Sequence, residues 1–159
     1  MPLYRRQALQ SDKGEWAVPL DDLHYLPLLD VSDRIRRREV SPVAVLGAIV
    51  DRIARLDAAA RSYTTLLADR ACATAVGAEK EIAAGLWRGP LHGIPLAVED
   101  LCATSFAPTT GGMPMRKNST PDNDATVVRR LEDAGAAACC TEVVCGAAGW
   151  ADVRSLPLT

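Results

Sequence analysis

The chain has 159 residues, 48% of them hydrophobic and 24% charged, with a formal net charge of -2 at pH 7. That is the size and balance of one folded domain, or part of one, and it excludes a disordered chain and any general electrostatic attraction to nucleic acid. The start, MPLYRRQALQSDKGEW, has no apolar signal core, and no charge-free run reaches the ~18 residues of a spanning helix, so a cytoplasmic protein without membrane contact is expected.

Residues 1–25 mix Pro, Gly, charge and aromatics without a period and read as an irregular N-terminal arm, with residues 26–159 as the folded unit. A short helix is expected from Leu26 to Glu39; the arginines Arg34, Arg36, Arg37 and Arg38 have no interleaved aromatics and read as a solvated face. Ser41 and Pro42 then form a capping residue and a first-turn proline. Behind them Val43, Leu46, Ile49, Val50, Ile53 and Leu56 are spaced for one face of a helix over 42–58. A second, Ala-rich helix is expected from Ala68 to Ala84, closed by Gly85.

Gly89 and Pro90 force a loop before Ile94 to Val98, a short apolar run consistent with a strand covered on both faces. Thr104 to Pro121 is rich in Thr, Pro, Gly and Ser and reads as a long loop. Asp124 is expected to cap a helix striped by Val127, Val128, Leu131 and Ala134 and closed by Gly135, with a strand from Ala136 to Cys140 after it. Strand, loop, helix and strand in that order imply a crossover between parallel strands.

Recognisable catalytic patterns are few. The five cysteines are an odd number without a C-x-x-C pair, which fits reduced, buried thiols rather than disulfides or a zinc site, and only His24 and His92 could activate one of them. The serines are isolated, with no G-x-S-x-G turn; both the phosphate loop and the dinucleotide pattern are missing, and the Gly111-Gly112 pair is a turn signal on its own. Glu99 and Asp100 end the strand in RGPLHGIPLAVEDLC. As strand neighbours they point to opposite faces, which argues against a paired general acid and base; a strand end is nevertheless where α/β proteins often carry function.

The series GPLHGIPLAVEDLC, PTTGG and DATVVRRLEDAGA, preceded in order by EVSP, DRIARLDAAARSYTT and AEKEIAAG, resembles the N-terminal portion of the amidase signature family over residues 28–150. These are serine amidohydrolases with a Ser, cis-Ser, Lys triad. The resemblance implies an α/β fold in which N-terminal helices precede a partial mixed sheet, an incomplete α/β/α amidase-signature architecture. It also implies hydrolysis of small-molecule carboxamides through an acyl-enzyme, with no cofactor and no metal.

Two departures follow from the same resemblance. The family's pattern G-I-P-x-x-V-K-D carries the catalytic lysine; Glu99 occupies that position, while Asp100 keeps the pattern's aspartate as a supporting residue. The segment that brings both catalytic serines has no counterpart in VCGAAGWADVRSLPLT. The expectation is an amidase-family segment that is inactive alone. A non-catalytic binding module, self-associating through an open sheet edge, is the alternative.

Overall fold

The structure is a computed structural model and describes residues 20–142. Four helices and a three-stranded sheet make a mixed α/β unit: α1 (Leu28–Arg36), α2 (Pro42–Ala60), β1 (Tyr63–Leu66), α3 (Ala68–Ala83), β2 (Pro95–Glu99), α4 (Thr126–Asp133) and β3 (Ala137–Glu142). Most of the expected N-terminal arm and the end of the chain, with Cys145, lie outside the described residues. The arm's last six residues, Leu20–Tyr25, form a 3-10 turn that buries Leu23.

The helix starts and stops follow from capping chemistry. The Ser41 hydroxyl accepts from the backbone N–H groups of Val43 at 3.0 Å and Ala44 at 3.3 Å, so α2 begins where Ser-Pro places it. Three helices end in one motif, in which the residue after the cap turns left-handed and the next N–H reaches back to an earlier carbonyl. In α3 that residue is Gly85, at φ +88°, with Leu86 N–H on the Glu81 carbonyl; in α4 it is Gly135, at φ +87°, with Ala136 N–H on Leu131. In α1 it is Arg38, at φ 60°, with Glu39 N–H on Arg34. Because arginine gives no such stop signal, the expected helix to Glu39 overran the real end at Arg36.

Asp124 does not cap α4. Ala125 is the cap residue, with no side-chain hydrogen bond, and Asp124 Oδ1 instead accepts from Ser105 N–H at 2.6 Å, tying the long loop to the helix entry. That loop, expected over Thr104 to Pro121, holds one short 3-10 turn, Pro114–Arg116. It is pinned internally, with Thr104 Oγ1 donating to the Ala107 carbonyl and Thr109 N–H to the Ser119 carbonyl.

Strand order is β1-β3-β2, with β3 parallel to β2 and antiparallel to β1, a mixed sheet as expected. The strand at Tyr63–Leu66 was not foreseen, since YTTL is short and alternates burial. Nor is β2 covered on both faces: Val98 is buried, but Ala97 and Glu99 are exposed. One core joins Val43, Leu46, Val50 and Ile53 of α2 and Ala71, Cys72 and Ala75 of α3 to Ala137, Cys139 and Cys140 of β3. A second, smaller core packs Val128 of α4 on Val98 and Ala138, so helices lie on both sides of the sheet. Leu56, placed on the apolar stripe of α2, is 48% exposed. Among the described residues, no helix is long and apolar enough to cross a membrane.

Candidate functional site

The parallel strands β2 and β3 both deliver their carboxyl ends to one edge of the unit, the end at which open α/β sheets hold ligands. Two glycines set the register at the opposite end. Gly93, at φ +79°, donates its N–H to the Gly135 carbonyl at 2.8 Å, and Ala137 N–H donates to Ile94 at 2.9 Å. A Cβ on Gly135 would stand 2.7 Å from His92 Cδ2 and 3.2 Å from His92 Cα, so the HG and AGA turns interlock only because position 135 has no side chain.

At the carboxyl end, Glu99 and Asp100 separate. Glu99 is exposed and, among the described residues, has no ion pair. Asp100 is 1% exposed and is clamped by the loop that returns ten residues later: Thr110 N–H donates to Oδ1 at 2.8 Å, and the Thr110 hydroxyl donates to Oδ2. Gly111 N–H reaches the Asp100 carbonyl at 3.0 Å, and Gly112 N–H donates to the Thr110 hydroxyl oxygen at 3.0 Å. Successive left-handed glycines, φ +56° and +71°, make this close return possible. The PTTGG run is thus the partner of the VED run. Thr110 was not singled out from the sequence, because its role depends on a contact between loop and strand end.

The two described histidines stand away from this edge. His92 lies before β2 and is 1% exposed. Its Nδ1 accepts from Arg88 N–H at 3.3 Å and its Nε2 lies 3.0 Å from Glu81, which also takes a two-point contact from the Arg88 guanidinium at 2.8 and 2.6 Å. Burial pushes the His92 imidazole below its ordinary value of 6.5, with Glu81 pulling the other way. The Arg88 hydrogen bonds hold the Glu81 carboxyl below its usual range. This cluster ties the end of α3 to the RGPLHG turn and uses both imidazole nitrogens, so His92 serves no cysteine as a base. His24 stacks on Tyr25 with ring centroids 4.0 Å apart. Among the described residues no three His, Cys, Asp or Glu side chains stand together in a way that could hold a metal.

Chemically, the edge presents one buried, fully hydrogen-bonded carboxylate beside one exposed carboxylate at the tip of β2. It supplies acceptors and negative charge.

A family model described as Amidase matches residues 44–153. The chain is 41% identical over 116 residues to the putative amidase AmiD of Mycobacterium tuberculosis, covering 73% of this chain and 24% of that protein. It is 38% identical over 117 residues to an amidase of Pseudomonas putida, covering 74% of this chain and 25% of that protein. Among solved structures, the native peptide amidase of Stenotrophomonas maltophilia superposes with a TM-score of 0.71 at 32% identity, over 78% of this chain and 26% of that one. The chain therefore spans about a quarter of the length of the relatives it matches.

Proposed function

The chain belongs to the amidase family, and from that premise we propose that it carries the N-terminal part of a carboxamide-hydrolysing scaffold in which the proton shuttle is missing, so that it turns over no amide by itself. The observation that carries this reading is Glu99. It stands exposed at the carboxyl end of β2, next to the clamped Asp100, where the motif resemblance calls for a lysine. A neutral amine of depressed pKa can draw a proton from a serine; a carboxylate is a weaker base by about six pKa units on reference values. It also brings negative charge toward the place where an oxyanion has to form, which opposes the stabilisation that acyl transfer depends on. Asp100 is a positioning residue in this reading, holding the PTTGG loop against the strand end. Small carboxamides are the substrate class the scaffold points to. The four described cysteines carry no disulfide, which supports a reducing, cytoplasmic setting.

The test is direct. Purified protein incubated with a panel of aliphatic and aromatic carboxamides should release no ammonia above buffer, while turnover sensitive to a serine reagent would overturn the reading. A lysine-to-glutamate change at the matching motif position of the Stenotrophomonas peptide amidase should lower kcat by orders of magnitude; unchanged kcat there removes the chemical premise.

A second reading, a self-associating or binding module on the same scaffold, is favoured by the sheet itself. Among the described residues β1 and β2 are both edge strands, each with one side unpaired. Light scattering at micromolar concentration should then show a discrete oligomer, and a monomer at all concentrations excludes it.

A further inference from the structure

Cys139 and Cys140 are sequence neighbours in β3, and on a regular strand their side chains would leave opposite faces. Here their sulfurs lie 3.4 Å apart. The pairing explains it. β2 opposes β3 as Leu96 to Ala138 and then Ala97 to Cys140, so Cys139 is the extra residue at a shift of register, which makes a bulge. The bulge is anchored from the other side, where Leu67 N–H donates to the Cys139 carbonyl at 2.7 Å. Two thiols are thereby held side by side by the backbone rather than by chance rotamers.

The separation suits one kind of ligand. It is far longer than an S–S bond of about 2.05 Å, so no disulfide joins the two. Two bonds of about 2.3 Å, the length of a zinc–thiolate bond, meeting a little above a right angle, span that gap. Zinc itself takes four ligands, and among the described residues no third or fourth stands by. A centre content with two sulfurs and an oxygen fits better.

We propose that Cys139 and Cys140 form a vicinal dithiol site for a trivalent, thiophilic metalloid, bound as a cyclic dithiolate. With arsenite the step balances without any redox change: two As–O bonds break, two As–S bonds form, each thiol proton leaves with a departing hydroxide as water, and the third hydroxyl stays on arsenic. The second bond closes within the chain onto a thiol already in place, which removes most of the ordering cost and makes the pair far tighter than either thiol alone. Both thiols are buried, Cys139 2% and Cys140 1% exposed, so the ligand reaches them by local opening of the sheet where Cys140 pairs with Leu66 of β1, 44% exposed, and Ala97 of β2.

The experiment uses the full chain, reduced with a phosphine and treated with arsenite. Native mass spectrometry after desalting should show one arsenic per chain with two waters lost, removed by excess dithiothreitol but retained against the same concentration of a monothiol. Cys139→Ala and Cys140→Ala should each weaken retention at least tenfold while Cys102→Ala leaves it unchanged, with circular dichroism confirming the fold of each. Absence of a 1:1 adduct on the wild-type chain overturns the proposal without reference to any variant. So does a folded Cys139→Ala or Cys140→Ala protein that retains arsenite as well as wild type.

Discussion

Thr110 holds Asp100 from two atoms at once, its N–H on Oδ1 at 2.8 Å and its hydroxyl on Oδ2, so the loop after β2 is tied back to the strand end by one buried carboxylate. The same hydroxyl oxygen accepts Gly112 N–H at 3.0 Å, which makes Thr110 the centre of the clamp.

Thr110→Val should therefore cost about 1–3 kcal/mol, since it removes the hydroxyl and leaves a buried carboxylate oxygen unsatisfied. Thr110→Ser keeps the hydroxyl and should recover most of it. Urea titration of the three proteins checks both, read as midpoints at constant slope; a Thr110→Val midpoint equal to wild type would show that the clamp adds nothing to stability.

Glu99→Lys should leave stability within about 0.5 kcal/mol, because the side chain is exposed and no ion pair among the described residues is lost. Thermal unfolding of the variant beside wild type measures it. A large loss would mean that the carboxylate is structural, and position 99 would then say less about function.

The His92 cluster predicts an acid-side loss of stability. Burial holds the folded-state pKa below 6.5, so the unfolded chain takes up a proton at a higher pH than the folded one. Stability from this group is fully present above pH 6.5 and declines as pH falls from there through the depressed folded value. Glu81, whose folded pKa lies below the ordinary 4.5, adds a separate loss at lower pH. Denaturation midpoints at pH 7.5 and 5.5 should differ in wild type, and His92→Gln should flatten the difference; an unchanged slope in the variant would assign it elsewhere.

Gly135→Ala should destabilise by about 1–3 kcal/mol, the cost of a strained left-handed residue, aggravated by a Cβ only 2.7 Å from His92 Cδ2. Calorimetry of the purified variant gives the number, and a Tm equal to wild type would show that the turn can relax.

Arg38→Gly works in the other direction. Arg38 is exposed and occupies the left-handed position that Gly85 and Gly135 occupy in the other two helix ends. Glycine there should stabilise by about 0.5–1 kcal/mol, since an L side chain pays more in that region than glycine pays in entropy. A lower urea midpoint for the variant would contradict this.

Periodicity and caps made α2, α3 and α4 legible, because Ser41, Gly85 and Gly135 act within a turn of their own positions. The true end of α1 was hidden by an arginine in a glycine's place, and β1 by its four-residue length. Asp124 looked like a cap, and only the folded loop shows that Ser105 N–H claims it. The separation of Glu99 from Asp100 across the strand was readable from the residues alone, while the lysine position at Glu99 is what the motif resemblance implies.

What the residues determined by themselves was local: where helices begin and stop, which side of each is apolar, and which family motif the GIPLAVED run resembles. Tertiary structure alone decided which distant groups meet. The bulge that turns Cys139 toward Cys140, the return of Thr110 onto Asp100 and the seating of His92 against Gly135 each depend on a contact between segments. Their energies come from register and burial across separate elements, and no single stretch of sequence contains both partners.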